Sequence, residues 1–388
     1  MQRLNATVSP PLLNTIDELA KKTGMSHDRV VQAVEELSRI FTKERAGLSR
    51  PYLEDPVLAA AYLQYFLPVN LSKIQVLLDE MPTPETDGRF SVLDLGSGPG
   101  TGALAVLDWW HQRKIAGQLS VVAVDSAPAA LRQAEQLWNS YCRATRGTDA
   151  TLTICESDLD RKTWREQVQQ GAPFDLVIVA NCLNEIHADA KDPIAARAGL
   201  VTELLSLLAP HGTIMIVEPA LRGTSRALHQ VRDRLLKEKR CTVYSPCLHE
   251  NSCPALVNPH DWCHEERAWE PPASIQQIDD EVGFIKDALK YSYLLLRKDG
   301  KTIVERKPDV YRVVSELRVM KGESRVWVCN ELGRSEIGRQ DRLKSMSNQD
   351  WDQLKRGTLV RLEGLQRKDG AVLQRVPAEG TAEIIRSV

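Results

Sequence analysis

The sequence predicts an α/β protein built on a parallel, Rossmann-like sheet, and three observations predict it. Short apolar runs alternate with helical segments through the middle of the chain. The first of these runs empties into a glycine-rich turn that opens directly into a helix. The second ends in an acid, Asp125. Largely apolar strands alternating with helices imply a sheet covered on both faces. A glycine turn between strand and helix, with an acid on the next strand, is the arrangement of nucleotide-binding folds.

Taken in order, the apolar residues of Leu12 to Phe41 recur at helical spacing, with Gly24 and Ser26 marking a turn between two helices. The pair resembles a helix-turn-helix, but two packed helices are the commoner meaning and no DNA partner is expected. Pro56 to Glu80 reads as helical and interrupted at Pro68. The expected strands are Ser91–Leu95, Ser120–Asp125, Thr151–Cys155, Phe174–Val179 and Thr213–Val217, followed later by Tyr291–Leu296 and Arg325–Cys329. Helices are expected over Leu104–Gln112, Pro128–Arg143 and Ala195–Leu208. Near the C-terminus, Leu359–Leu362 and Ala371–Val376, joined through Lys368-Asp369-Gly370, suggest a hairpin. This divides the chain into an N-terminal helical region (1–85), an α/β core (86–219), a cysteine-rich insertion (220–290), closing strands of the core (291–333) and a small C-terminal β appendage (334–388).

Composition narrows the function classes. The 388 residues are 43% apolar and 26% charged, with fifty basic against fifty-two acidic side chains. That is ordinary globular composition, so any nucleic-acid surface must be a local patch. No apolar run approaches the roughly 20 residues that span a bilayer, so no membrane partner is expected. Met1 to Ser9 carry one Arg and no apolar stretch. That segment fits neither a signal nor a transit peptide, and a cytoplasmic protein is expected.

The glycine turn reads Asp94-Leu95-Gly96-Ser97-Gly98-Pro99-Gly100-Thr101-Gly102. Its spacing is G-x-G-x-G, not the G-x-G-x-x-G of dinucleotide folds, and Pro99 removes an N–H that a pyrophosphate would use. The strand, acid and loop resemble the class I methyltransferases that bind S-adenosylmethionine. By that resemblance Asp94 and the loop (Gly96, Gly98, Gly100) face the amino acid part, Asp125 the ribose and Asp158 the adenine edge. Asn181 lies at the carboxyl edge of the fourth strand, where such ligands bind. Catalysis is less legible. Ala180-Asn181-Cys182-Leu183-Asn184-Glu185-Ile186 is not the Asn-Pro-Pro-Tyr type of tetrapeptide. Cys182 reads more as a small core hydrophobe than as a nucleophile. Glu185 and His187 are possible bases with equally ordinary structural readings. No catalytic residue is assigned.

Eight cysteines are unusual for a chain with no export signal, and Cys241, Cys247, Cys253 and Cys263 fall within 23 residues. In a reducing compartment, clustered thiols point to metal. Their gaps of five, five and nine residues lack the close pairs of a zinc ribbon, which leaves an iron–sulfur cluster or an unusual zinc site. Cys142, Cys155 and Cys182 read as buried thiols of the core.

The stretch Cys247-Leu248-His249-Glu250-Asn251-Ser252-Cys253-Pro254-Ala255-Leu256 with Trp262-Cys263-His264 resembles the small-ribosomal-subunit assembly factors of the mitochondrial methyltransferase-like type and their bacterial relatives. Further matching segments are Ala60-Ala61-Tyr62 to Phe66-Leu67-Pro68, the glycine loop, Ile216-Val217-Glu218-Pro219, Tyr291-Ser292-Tyr293 and Leu296-Arg297-Lys298. The resemblance implies a 4Fe-4S cluster on Cys247, Cys253, Cys263 and Cys329. Cys241 is the spare thiol, or the ligand in place of Cys329, with His249, His260 and His264 also within reach. Leu248 stands where the family commonly has proline.

Seven basic residues, Arg222, Arg226, Arg232, Arg234, Lys237, Lys239 and Arg240, face two acids, Asp233 and Glu238, between positions 222 and 240. With Arg334, Arg339, Arg342, Lys344, Lys355 and Arg356 they offer phosphate contacts, and Trp262 or Trp269 a stacking surface. The resemblance implies small-subunit ribosomal RNA as partner. Expected, then, is an S-adenosylmethionine-binding, 4Fe-4S methyltransferase-like protein of small-subunit assembly or translation. The alternatives are a non-catalytic rRNA-binding assembly factor and a zinc-stabilised small-molecule methyltransferase.

Overall fold

The computed structural model describes residues 8–44, 52–84, 88–146, 148–161, 163–367 and 373–387. Two compact units divide the chain, Met1–Glu218 with Ala268–Leu289, and Pro219–Arg267 with Lys290–Val388. Each is assembled from two stretches of chain, where the sequence suggested five successive regions.

In the first unit β1 (Arg89–Leu95), β2 (Gln118–Asp125), β3 (Ala150–Glu156), β4 (Phe174–Ala180) and β5 (Leu208–Pro219) are parallel and ordered β3-β2-β1-β4-β5. Six of the seven residues of β1 are buried, as befits a strand covered on both faces. Helices Thr101–Gln112, Pro128–Thr145 and Pro193–Leu207 make the connections. Strand order reverses between β1 and β4, and ligands of such sheets bind outside the carboxyl ends at this switch point. The glycine loop and Asn181 both lie there. With the order 3-2-1-4-5 and the G-x-G-x-G turn, the unit has a Rossmann-like methyltransferase fold.

The N-terminal helices Pro10–Lys22 and His27–Thr42 bury Leu12, Ile16, Val30, Val34 and Leu37. Ser9 caps the first helix by accepting from Leu12 N at 3.3 Å, and its own N–H reaches Asp108 Oδ2 at 3.0 Å. The interruption expected at Pro68 takes a different form. A π-turn, Tyr62–Phe66, is inserted between Pro56–Ala61 and Leu67–Glu80, and Pro68 sits in the first turn of the last helix. There its missing N–H costs little, so the chain stays helical throughout.

In the second unit helix Arg222–Lys237 precedes β6 (Thr242–Ser245), β7 (Glu265–Ala268) and β8 (Ala288–Arg297), with β8 pairing both shorter strands. An eight-stranded sheet follows. It comprises β9 (Val310–Val313), β10 (Arg318–Met320), β11 (Glu323–Asn330), β12 (Gly333–Gln340), β13 (Leu359–Glu363), β14 (Gln366–Arg367), β15 (Gln374–Arg375) and β16 (Thr381–Arg386). Tyr311, Val326, Val328, Ile337, Trp351 and Val360 fill its core.

The β appendage is therefore larger than expected and starts earlier. Arg325–Cys329 belongs to this sheet, within β11. The physical reason is visible in β11, whose residues alternate strictly between partly exposed and buried, the mark of a strand with one solvated face. The expected hairpin also differs. Leu359–Leu362 pairs with β9 and β16, while β14 and β15 pair with each other around 368–372, and Lys368-Asp369-Gly370 lies outside the described residues. No helix of the described residues is long and apolar enough to cross a membrane.

Candidate functional site: a glycine loop and a four-thiol cavity

Asp94, one residue before the end of β1, is almost fully buried, with its carboxylate accepting from Ala103 N at 2.8 Å. Burial pushes it up to about 6, although N–H groups of Ala103 and Gly102 pull the other way. It thus ties the loop to the following helix, and a Cβ at Gly102 would overlap its oxygens. Gly96 and Gly100 have φ of +70° and +86°, in the left-handed region that favours glycine. A Cβ on Gly96 would collide with Cys182 Sγ, and one on Gly100 would stand 2.9 Å from Ala134 Cβ.

The loop's N–H groups are taken. Gly96 and Ser97 donate to Val124 O, Gly100 and Thr101 to Ser97 O, Leu104 to Gly100 O, Gly98 to Asp125, and Gly102 and Ala103 to Asp94. Pro99 has none. A pyrophosphate would find no donor here, unlike in a phosphate-cradling loop.

Asp125, at the end of β2, accepts from Gly98 N at 2.7 Å through Oδ2 and from Ala127 N at 2.9 Å through Oδ1. Burial raises it against these bonds. A carboxylate has about four lone-pair sites, so each oxygen keeps capacity for a hydroxyl. Asp158 is exposed, ion-paired to Arg161 at 3.2 Å and bonded to Asp160 N. Asn181 follows β4 with φ of +60° and donates its N–H to Val217 O at 2.7 Å. Beside it Cys182 directs its thiol to Leu95 O at 3.2 Å, and burial pushes that thiol well up, which fits a core thiol and not a nucleophile. Asn184 Nδ2 donates to Glu218 Oε2 at 2.6 Å, and His187 lies 3.1 Å from Asp160.

Two residues of this neighbourhood carried no role in the sequence. Tyr62 opens the π-turn, and its hydroxyl bonds to Thr101 at the start of the loop helix and lies 3.4 Å from Asn70 Nδ2. Glu218, 1% exposed at the end of β5, is pushed up by burial to about 8. Strand-end position was the available signal for Glu218. Nothing in the local sequence marks a π-turn.

In the second unit one cavity is lined by Cys247, Cys253, Cys263 and Cys329 together with His229, His249, His264 and Arg334. Cys241 and His260 do not line it. Cys247 follows β6, Cys253 precedes the turn Pro254–Leu256, Cys263 precedes β7, and Cys329 projects from β11. Burial, and then the neighbouring thiols, push Cys263 up to about 11 and push Cys253 and Cys329 up as well. Among the described residues no three His, Cys, Asp or Glu side chains are gathered as a metal-ion site. The thiols share a cavity but stop short of ligand geometry.

Helix Arg222–Lys237 holds the loops that carry them. Arg226 donates to the carbonyls of Ala255, Leu256, Asn258 and Asp261 at 2.8–3.1 Å. Fully buried Arg232 donates to His249 O and Asn251 O at 2.5 and 2.8 Å, while Asp233 accepts from Cys253 N at 2.9 Å. Burial disfavours the charge of Arg232, but nearby Cys247 and Asp233 hold it in place. His249 Nε2 stands 3.6 Å from Cys329 Sγ.

The basic patch is corrected accordingly. Arg226 and Arg232 face inward, Arg339 is 2% exposed against Asp352, and Arg334 pairs with Asp261. Arg222, Arg234, Lys237, Lys239 and Arg240 remain exposed. Trp269 is buried, whereas Trp262 is 37% exposed and stacks on His264 at 5.8 Å.

A family model described as mitochondrial small ribosomal subunit Rsm22 matches residues 56–340. The chain belongs to this family. Membership of the Rsm22 family corrects the expected cytoplasmic location, since the family is mitochondrial by description. No curated protein matches the sequence. Similar solved structures include the fibrillarin/Nop5p complex, with 12% identity, TM-score 0.33, and 59% of this chain and 82% of that one covered. Precorrin-6y C5,15-methyltransferase from Geobacter metallireducens GS-15 gives 11%, 0.32, 60% and 87%. CurJ carbon methyltransferase gives 14%, 0.34, 74% and 71%. What the family match shows is membership of a small-ribosomal-subunit family, carried on the Rossmann-like sheet described above.

Proposed function

We propose that this Rsm22-family protein binds S-adenosylmethionine at the carboxyl ends of β1, β2 and β4, holds a 4Fe-4S cluster on Cys247, Cys253, Cys263 and Cys329, and acts on small-subunit ribosomal RNA. The observation that carries the first part is the glycine loop with every N–H already bonded. Such a loop suits a ligand recognised by close backbone approach and by a carboxylate, and does not suit a phosphate. Asp125 would accept the ribose hydroxyls, Asp158 would meet the adenine edge, and Asp94, through Gly96, Gly98 and Gly100, would shape the surface under the amino acid part. Asn181 would bound the site from β4. When bound, the cofactor supplies an activated methyl group, and the chain's contribution is positioning.

The metal reading is supported by four thiols from four separate segments on one cavity, with the buried Arg232 beside them. Thiolate ligands carry net negative charge, and a buried guanidinium offsets part of it. Zinc is the competing occupant.

A second reading, an rRNA-binding assembly factor without turnover, is favoured by the segment after β4. Cys182, Asn184 and His187 are all engaged within the protein, which leaves no unengaged base among them.

One experiment separates the readings. Labelled S-adenosylmethionine and immature small subunits should give labelled rRNA that is lost in Asp125→Asn. Tight cofactor binding with unlabelled rRNA would establish the assembly-factor reading instead. Anaerobic protein should absorb broadly near about 400 nm with stoichiometric iron and sulfide; a colourless protein with zinc would exclude the cluster.

A further inference from the structure

We propose that Lys73 and Lys286, converging beside the π-turn Tyr62–Phe66, form a seat for a phosphate group, occupied in the working protein by a backbone phosphodiester of the RNA. The naming of RNA as the source rests on the function proposed above; the anion seat itself does not.

Lys73 lies on helix Leu67–Glu80, with Nζ 3.0 Å from Asn70 Oδ1, and forms no ion pair among the described residues. Lys286 lies just beyond helix Ala273–Val282, with Nζ 2.8 Å from Tyr65 Oη and 4.1 Å above the centre of the Tyr65 ring. The two ammonium groups repel each other. Among the described residues the acid that meets this pair is Asp279, which accepts from Tyr65 Oη and stabilises Lys286. Two cations, both partly exposed, therefore stand against one carboxylate.

An unpaired buried charge is costly and is normally neutralised or matched. Burial lowers Lys73 to about 7, with Lys286 adding to the effect, and lowers Lys286 to about 8 against the pull of Asp279, the direction expected of ammonium groups taken out of water. A phosphate supplies the missing charge and can accept from both ammoniums. Asp279 orients Tyr65 and Lys286 and leaves the excess positive charge on the Lys73 side.

The seat is linked to the cofactor region through two side chains, Asn70 and Tyr62. Asn70 accepts from Lys73 and its Nδ2 faces the hydroxyl of Tyr62, which in turn bonds Thr101 at the loop helix. The π-turn thus presents Tyr62 to the loop and Tyr65 to Lys286. An RNA strand laid across it would place a phosphate on the lysines next to the methyl-donor side. The same turn carries Phe66, packed edge-on against Phe41 at 5.1 Å and with its ring centre 6.0 Å from Lys286 Nζ, which sets an aromatic ring beside the seat.

The test uses the full chain, with inorganic phosphate and a short single-stranded RNA as probes and chloride at matched ionic strength as control. Phosphate should raise the unfolding temperature beyond chloride. Lys73→Met and Lys286→Met should each weaken phosphate binding roughly tenfold, with S-adenosylmethionine affinity unchanged as a check on folding. Each should also reduce the salt dependence of RNA binding by about one phosphate contact. Phosphate acting no better than chloride, or binding the variants as well as the parent, overturns the seat. Loss of phosphate binding with unaltered RNA affinity and salt slope overturns the RNA source and leaves a free-anion site. Failure of rRNA labelling alone bears only on the proposed function.

Discussion

The glycine loop and the cysteine cavity hold their functional groups by opposite means. In the loop, backbone N–H groups, strand ends and two acids, Asp94 and Asp125, all within a short stretch of chain and its parallel neighbours, fix every residue from Gly96 to Leu104 except Pro99. In the cavity the four cysteines sit on loops and a strand edge far apart in sequence, and arginine side chains from one helix grip those loops by their carbonyls. The first device is written locally and tolerates little change in backbone. The second depends on two long side chains.

Removing the grip should show this most strongly. Arg232→Met leaves two loop carbonyls and Asp233 without their partner, and breaking a buried pair costs about 3–5 kcal/mol. Chemical denaturation should show the loss, with metal content falling in parallel while S-adenosylmethionine affinity holds. Metal retained at parental stability would mean the loops stand without the arginine.

The loop should fail for a different reason, steric and not electrostatic. Gly96→Ala places a methyl on Cys182 Sγ at a positive φ, a cost of about 1–3 kcal/mol by overpacking alone. Because the obstacle is a single side chain, Gly96→Ala combined with Cys182→Ala should recover part of the loss in a double-mutant cycle. No coupling between the two would place the strain in the backbone alone.

Glu218 sharpens the comparison through pH. Its folded value is raised from 4.5 to about 8, so between those values the folded protein binds a proton that the unfolded chain has released. Its contribution to stability therefore falls as pH rises from about 5 to 8. Glu218→Gln should flatten that slope in urea melts at pH 5.5 and 8, and an unchanged slope would mean another group titrates. The smallest effect is expected at Asp158, an exposed carboxylate paired with Arg161. Asp158→Asn should change stability by less than about 0.5 kcal/mol and lower S-adenosylmethionine affinity, measured by calorimetry; equal affinity would remove Asp158 from the cofactor site.

What could be read beforehand follows the same division. Strands β1 to β5, the loop and Asp125 were legible because apolar periodicity and glycine spacing are local signals. The extent of the second sheet was missed although β11 alternates openly, because Arg325–Cys329 was read as an apolar run when only Val326 and Val328 point inward. The charged run of helix Arg222–Lys237 read as a surface. Arg226 and Arg232, three and six positions apart from His229 and Arg226 respectively, share the face that turns to the loops.

By itself the sequence determined the fold class, the glycine loop and the crowding of cysteines between positions 241 and 263, since each depends on residue type at short spacing. Only the tertiary structure decided which thiols share a cavity, which arginines hold it, and that two lysines more than two hundred positions apart converge beside a π-turn. Those outcomes depend on which loop carbonyls and charges lose water together, and burial is a property of the assembled chain that no local pattern encodes.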